Sequence, residues 1–206
     1  MIFKNALKEI EKAFIFKDWK LQKEWSGFDP RTGNQVSEEK SLQRSMLLTY
    51  CNTVGNHLDL SQSRALEIGV EKHRSVCMAL GLNNWERLDR LDDVGGNKTD
   101  YFFDYVEEDI PKELIGAFDV VVCSNVLEHT FDIIKGFEKT FALAKPGGLV
   151  YISTPFSLGI HGIQDYWRPT PQAYAKILPE YSSDFVILGE NWGQVLQGVS
   201  SFSVKL

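Results

Sequence analysis

Residues 118–132 have the sequence FDVVVCSNVLEHTFD and contain the clearest strand signal in the chain. The first seven of these residues centre on three consecutive valines, a β-branched run that is typical of a strand buried on both faces of a parallel sheet. Polar residues follow at once, beginning with Ser124 and Asn125. The segment therefore predicts a buried strand over residues 118–124 that presents polar groups at its carboxyl end.

Strand signals alternate with helix signals on both sides of this segment. Strands are predicted within RALEIGV (64–70), WERLDRLDD (85–93), TDYFFDYV (99–106), LVYISTPF (149–156), DFVILGE (184–190) and VSSFSVKL (199–206), whose Phe202, Val204 and Leu206 would share one face. Helices are predicted over residues 74–80, 132–144 and 170–178. Gly81 and Pro146-Gly147-Gly148 would end the first two, and Thr170-Pro171 would start the third. This alternation predicts right-handed crossovers and a doubly wound, mostly parallel α/β sheet of seven strands with helices on both faces.

The first 60 residues favour helices instead of strands. Phe3, Leu7, Ile10 and Phe14 recur at three- and four-residue spacing, which indicates one apolar helix face. A polar turn is expected over residues 26–35, and a second helix after it. We therefore predict a helical extension or cap over residues 1–60, closing the ligand cleft from above, and one α/β domain over residues 61–206.

Composition narrows the class of protein. The chain has 206 residues, 43% of them hydrophobic and 24% charged, which excludes disordered and collagen-like proteins. Its net charge of -6 argues against non-specific nucleic-acid binding and against attraction to anionic membranes. Three widely separated cysteines without a CxxC pair fit a reducing cytoplasm. Neither a signal peptide nor a membrane span is predicted. The sequence does not indicate the oligomeric state.

Ligands of doubly wound sheets bind beyond the carboxyl ends of the strands, so the residues at those positions are candidates for function. Gly69 follows the first strand, and a lone glycine there fits a structural turn as well as a ligand contact. Asp89 comes about twenty residues later, where an acid often binds ribose hydroxyls, but it could also belong to a solvated acidic loop. Asp104 is equally suited to a ligand and to capping a loop.

Three segments, in matching order and spacing, resemble class I S-adenosylmethionine-dependent methyltransferases, particularly the large group that acts on small molecules. FDVVVCSNVLEHTFD resembles the fourth strand and its following loop, and KPGGLVYISTPF (145–156) resembles the turn and fifth strand. HGIQDYWRPTPQAYAKIL (161–178) resembles a further element of one subgroup. With Glu67 and Gly69 of the first strand, the resemblance covers about residues 64–180 and leaves the first 60 residues unmatched.

The resemblance implies the methyltransferase fold, S-adenosylmethionine as cofactor and a small-molecule acceptor. It also implies that cofactor-binding residues follow the first four strands: Glu67 and Gly69 beside the methionine part, Asp89 at the ribose hydroxyls, Asp104 and Tyr105 at the adenine, and Ser124 and Asn125 below the methyl group.

One departure from the family pattern bears on activity. The family has two or three glycines spaced every other residue after the first strand, whereas this chain keeps only Gly69 and has Glu71 in place of the second. The Glu71 carboxylate would repel the cofactor's own carboxylate unless Lys72, His73 or Arg74 pairs with that anion. Two hypotheses therefore stay open: a small-molecule methyltransferase, and an inactive methyltransferase-like binding or scaffold domain. The acidic balance disfavours a third, an RNA or protein methyltransferase.

Candidate catalytic and acceptor-binding groups follow the fourth and fifth strands. His129 and His161 are candidate general bases, because imidazole titrates near neutral pH, although either could be structural. Asp165, Tyr166 and Arg168 are candidate acceptor-binding residues, with a loop-stabilising Asp165–Arg168 ion pair as the alternative. The four histidines, His57, His73, His129 and His161, lack regular spacing, so no metal site is predicted.

Overall fold

The computed structural model describes residues 59, 62–69, 75–79, 82–90, 93–94, 97–192 and 195–206. The predicted helices of the first 60 residues lie outside the described residues, apart from Asp59. So do Glu71 with its three basic neighbours, and the predicted helix cap Gly81.

The described residues form nine strands. They are β1 (Arg64–Ile68), β2 (Asn84–Asp89), β3 (Asp93–Val94), β4 (Asn97–Lys98), β5 (Tyr101–Phe102), β6 (Phe118–Ser124), β7 (Ala144–Pro155), β8 (Ser182–Trp192) and β9 (Val195–Lys205). Three α-helices accompany them, α1 (Val76–Ala79), α2 (Ile133–Leu143) and α3 (Pro171–Ile177), together with single 3-10 turns at Lys112–Leu114, Leu127–His129 and Leu178–Glu180. None of these helices is long and apolar enough to cross a membrane.

Seven strands form one sheet in the order β5-β2-β1-β6-β7-β9-β8, and β3 and β4 form a separate antiparallel pair. The first five strands of that order run parallel, whereas β9 is antiparallel to both of its neighbours. This confirms the predicted doubly wound, mostly parallel sheet. Because the chain winds outward from β1 in both directions, the carboxyl ends of β1, β2 and β6 meet at the switch point, where such sheets bind ligands.

The core lies on both faces of β6, as its valine run predicts. Val120, Val121 and Val122 are fully buried, and each such side chain contributes roughly 1.5–3 kcal/mol to folding. On one face, Phe137 of α2 packs edge-on against Tyr174 of α3, with ring centroids 5.2 Å apart.

Both predicted helix starts are confirmed by side-chain caps. The Asp132 carboxylate accepts a hydrogen bond from the Lys135 amide at the start of α2. The Thr170 hydroxyl accepts one from the Ala173 amide at the start of α3, where Pro171 is the first helical residue. These are the contacts that a short polar residue at the N-cap makes with the free amides of the first turn.

Two boundary predictions are corrected. Helix α2 ends at Leu143, ahead of Pro146-Gly147-Gly148, because Ala144 is already extended and pairs with Phe118. The shared face expected for Phe202, Val204 and Leu206 ends before Leu206, which follows β9 and is 61% exposed. Within β9, Val199 to Ser203 are all buried, so both faces of this strand are covered.

Candidate active site

A cavity of about 350 Å³ opens at the carboxyl ends of β1, β2 and β6. Its walls come from the residues after these strands, from the segment after β5 and from the loop over residues 157–169. A volume of this size is typical of a small-molecule site. The cavity therefore lies where the sequence predicts ligand binding.

Gly69 turns the chain sharply at the end of β1 and lines the cavity. Its φ of 69° lies in the left-handed region, and a Cβ at this position would collide with Cγ2 of Val126. Only glycine satisfies both constraints. The loops after β1 and β6 thus touch at this point.

Glu67 lies one residue before the end of β1 and is 1% exposed. Its carboxylate accepts hydrogen bonds from Ser75 Oγ at 2.5 Å, the Val76 amide at 2.6 Å and the Cys77 amide at 3.1 Å. Burial raises the pKa of Glu67, while these three donors favour the charged form. The side chain ties the start of α1 to β1, and it is not among the residues that line the cavity.

Asp89 and Asp104 both line the cavity. Asp89 is the last residue of β2 and is half-buried. Asp104 Oδ1 accepts hydrogen bonds from the amides of Val106 at 3.1 Å and Glu107 at 3.2 Å, so this carboxylate also has the loop-capping role. The two acids predicted after the second and third strands thus meet at one ligand-sized space.

Tyr105 belongs to the cavity wall, but its hydroxyl lies in the core. The hydroxyl is 3.2 Å from Thr140 Oγ1 and 3.5 Å from Cys123 Sγ, and the residue is 4% exposed. Burial raises the pKa of Tyr105 well above its usual value. Tyr105 therefore serves mainly to pack the core.

The end of β6 places Ser124 and Asn125 differently. Ser124 Oγ lies 2.9 Å from Ser153 Oγ of β7 and is not part of the cavity wall. Asn125 adopts a φ of 53°, which asparagine tolerates better than most residues, and it lines the cavity. Of these two predicted residues, the structure brings only Asn125 to the cavity.

Glu128, His129 and His161 form a cluster at the edge of the cavity, and of the three His129 lines it. The imidazole rings of the two histidines lie edge to face, with centroids 5.0 Å apart. Glu128 Oε1 lies 3.7 Å from His129 Nε2 and 3.9 Å from His161 Nε2. Burial raises the pKa of Glu128 to about 7. The two predicted catalytic histidines thus share one buried carboxylate.

Asp165 and Arg168 form an ion pair with each other, which is the loop-stabilising alternative that the sequence left open. Arg168 Nη2 donates to Asp165 Oδ2 at 2.6 Å, and the same guanidinium donates to the carbonyls of Leu158 and Gly159. This pairing holds the pKa of Asp165 well below its usual range. Tyr166 lines the cavity and packs edge-on against Phe131 at 5.6 Å.

Comparison with known proteins identifies the kind of domain. A family model described as a methyltransferase domain matches residues 85–150, which run from β2 into β7. A ubiquinone biosynthesis O-methyltransferase of Xanthomonas euvesicatoria pv. vesicatoria is 28% identical over 138 residues, 58% of this chain and 56% of that protein. The match thus spans about half the length of this relative.

Two solved structures share the fold. The CurJ carbon methyltransferase has a TM-score of 0.60 at 15% identity, covering 99% of this chain and 62% of that one. The N-methyltransferase NodS of Bradyrhizobium japonicum WM9, solved with S-adenosyl-L-homocysteine, has a TM-score of 0.56 at 15% identity, with 98% of both chains covered. The chain therefore has the fold of class I methyltransferases, and its residues 85–150 match the methyltransferase domain model.

The fold also brings residues to the cavity that the sequence analysis did not name. Arg90 donates a hydrogen bond from Nη1 to Gln164 Oε1 and so links the end of β2 to the loop over residues 157–169. Phe103 and Phe131 add aromatic surface. Arg90 and Phe103 are the sequence neighbours of the predicted Asp89 and Asp104. The rule that ligands bind beyond the ends of strands could therefore have identified them. Gln164 carries no such local signal.

Proposed function

We propose that this chain is an S-adenosylmethionine-dependent methyltransferase that acts on a small molecule. The observation that carries the proposal is the cavity at the switch point of a class I methyltransferase fold, lined by Gly69, Asp89 and Asn125. The chain's net charge of -6 favours a small acceptor over nucleic acid. Its cysteine pattern favours a cytoplasmic location.

The groups around the cavity fit the parts of S-adenosylmethionine. The Asp89 carboxylate can accept hydrogen bonds from two ribose hydroxyls, and the Phe103 ring offers apolar surface to adenine. Because Gly69 has no side chain, its backbone can approach a ligand closely. The carboxylates of Asp89 and Asp104 also suit a ligand that carries a sulfonium cation.

When bound, the cofactor would supply an electrophilic methyl group for an in-line displacement. The chain's own contribution is then to position the acceptor and to take up its proton if the acceptor atom is a hydroxyl oxygen. His129 is the better placed of the two candidate bases, because it lines the cavity and His161 does not. Tyr166 and Phe131 offer aromatic surface for the acceptor.

Calorimetric titration with S-adenosylmethionine and with S-adenosyl-L-homocysteine tests the proposal. Asp89→Ala should weaken binding by about 1–3 kcal/mol, because charged hydrogen bonds are lost. The matched control Asp109→Ala removes an exposed aspartate that does not line the cavity and should bind as the wild type does. If the wild type fails to bind either ligand at millimolar concentration, the inactive scaffold hypothesis replaces this one.

A further inference from the structure

We propose that Glu128, His129 and His161 form a binding site for a divalent transition-metal ion, with Zn²⁺ as the best match. One ligand atom from each residue can be chosen so that all three lie within 4.8 Å of one another. The residues come from the 3-10 turn after β6 and from the loop after β7, so only the folded chain brings them together. Three features of the cluster point to a bound cation.

The first feature is the state of the Glu128 carboxylate. The residue is completely buried, and neither carboxylate oxygen has a hydrogen-bond partner among the described residues. A buried carboxylate without partners is costly, and such groups are ordinarily paired or bound to a metal. Arg168, the cation of the same loop, is already bound to Asp165 through two hydrogen bonds. Arg168 therefore attracts the Glu128 carboxylate through its charge alone, and a metal ion would supply the direct contact that the carboxylate lacks among the described residues.

The second feature is the orientation of the two imidazole rings. His129 Nδ1 faces the carbonyl oxygen of Gln164, and His161 Nδ1 lies 3.2 Å from Asp165 Oδ2. Both partners are acceptors, so in the neutral rings Nδ1 carries the proton and Nε2 keeps its lone pair. Both lone pairs are then on the Glu128 side of the rings, at distances too long for hydrogen bonds. Two lone pairs that converge on a carboxylate are the arrangement that a metal ion requires.

The third feature is the support behind the rings. Metal-bound histidines ordinarily donate their other ring N–H to a carboxylate or a backbone carbonyl, which fixes the tautomer and the ring orientation. Here His129 Nδ1 is hydrogen-bonded to the carbonyl of Gln164, and His161 Nδ1 lies 3.4 Å from the carbonyl of Gly159 and 3.2 Å from the carboxylate of Asp165. Asp165 is itself held by Arg168 and accepts the His161 amide at 2.7 Å. The ion pair that looked merely structural thus orients a metal ligand.

Distances and ligand types indicate which ion fits. Two ligands of a tetrahedral zinc ion lie about 3.4 Å apart, given metal–ligand bonds near 2.1 Å. The observed separations from Glu128 Oε1, 3.7 and 3.9 Å, need to close by a few tenths of an ångström, and the third separation lies within the 4.8 Å that bounds the whole set. Two imidazoles with one carboxylate favour zinc and its neighbours over magnesium or calcium. Three protein ligands leave a position open, as in catalytic zinc sites.

The metal site goes beyond the proposed function, because it requires no cofactor. His129 lines the cavity, so the ion would lie at the cavity's edge. If the proposed methyl transfer uses a hydroxyl acceptor, that oxygen could bind the open position. With the ion bound, the His129 Nε2 lone pair is occupied, so the ion would take the place of His129 in activating the hydroxyl. It would lower the pKa of the hydroxyl, and the proton would pass to water.

The experiment is a titration of the full-length protein, stripped with a chelator, with Zn²⁺ alone by calorimetry. The wild type should bind one equivalent of Zn²⁺ through the cluster. His161→Ala and Glu128→Gln should each lower the Zn²⁺ affinity by at least about 100-fold, which is more than the loss of a residue that only supports a ligand would cause. Both variants should fold, because His161 is 41% exposed and glutamine matches the shape of glutamate. Glu113→Gln, which removes an exposed acid outside both the cluster and the cavity wall, is the control and should bind as the wild type does.

Co²⁺ provides a spectroscopic readout, since its visible absorption reports the coordinating atoms. We expect the wild-type spectrum to be lost in both ligand variants. The proposal is overturned if the wild type binds neither ion, or if both variants bind Zn²⁺ as tightly as the wild type. Binding of S-adenosyl-L-homocysteine to the metal-free protein is measured separately, so failure of the metal site and failure of the proposed function give different results.

Discussion

Two buried glutamates lie near the carboxyl ends of neighbouring parallel strands, in opposite surroundings. Glu67, in β1, accepts three hydrogen bonds from the start of α1. Glu128, four residues beyond the end of β6, has no hydrogen-bond partner within the described ranges and faces two histidines. The two are equally buried and chemically identical.

The difference teaches that burial of a charged group does not by itself distinguish structure from function. A carboxylate whose lone pairs accept hydrogen bonds from the chain stabilises the fold. One left without hydrogen bonds destabilises it, and a bound ligand can offset that loss. Substitutions at the carboxyl ends of β1 and β6 should therefore have different effects. Those near the end of β1 should change the stability of the fold, and those beyond the end of β6 should change the reaction rate.

The largest effect should come from the β6 end. His129→Ala should lower turnover by about 10²–10⁴-fold while cofactor affinity is kept, because it removes the imidazole at the cavity wall. The measurement is methyl transfer from labelled S-adenosylmethionine to an acceptor that the wild type methylates in a panel of hydroxylated small molecules. Full activity in both His129→Ala and His161→Ala would remove the cluster from catalysis.

At the β1 end, Glu67→Ala should lower the free energy of unfolding by about 3 kcal/mol, because it leaves Ser75 Oγ and two amides buried without their acceptor. Denaturant unfolding measures this loss. Glu138→Ala, an exposed glutamate on α2, serves as the control and should change stability by no more than about 0.5 kcal/mol. A Glu67→Ala variant as stable as this control would contradict the structural role.

The two ends meet where Gly69 touches Val126, and Gly69→Ala should destabilise the protein by about 2 kcal/mol. The methyl group would collide with Val126, and the positive φ would add strain. Thermal unfolding measures the effect. Adding Val126→Ala should recover part of the loss, since the collision is removed while the strain remains. Failure of that second substitution to recover any stability would show that strain alone is responsible.

The smallest effect should be that of Glu128→Gln on the stability of the chelator-treated protein. Because the carboxylate has no described hydrogen-bond partner to lose, replacing it by a neutral amide should leave the free energy of unfolding within about 0.5 kcal/mol of the wild type, or raise it. Denaturant unfolding, run beside Glu67→Ala, measures the contrast. A loss as large as that of Glu67→Ala would make the two glutamates equivalent.

The fold could be predicted where the signal is local. The valines of β6 show burial on both faces, and Asp132 and Thr170 each place a cap next to the helix that it starts. The end of α2 could not be predicted, because the chain leaves the helix early to pair Ala144 with Phe118, a residue far away in the sequence.

For the candidate site, the sequence predicts individual residues but not which of them lie together. Asp89 and His129 follow strands, so the rule for strand ends places them at the cavity. His129 and His161 lie 32 positions apart in the sequence, and only the return of the chain through α2 and β7 brings their rings to 5.0 Å. A search for regularly spaced histidines cannot detect such a set. Glu128 was overlooked because a glutamate next to a histidine carries no sign of its burial.

The contact between Gly69 and Val126 also constrains how this domain can evolve. A side chain can appear at position 69 without a collision only in a lineage where position 126 has already become small. The reverse order passes through a less stable intermediate that selection removes. Because the positive φ strains any side chain at position 69 even then, glycine should persist there, and any replacement should follow a change at position 126. A library meant to reshape the cofactor loop should randomise both positions at once.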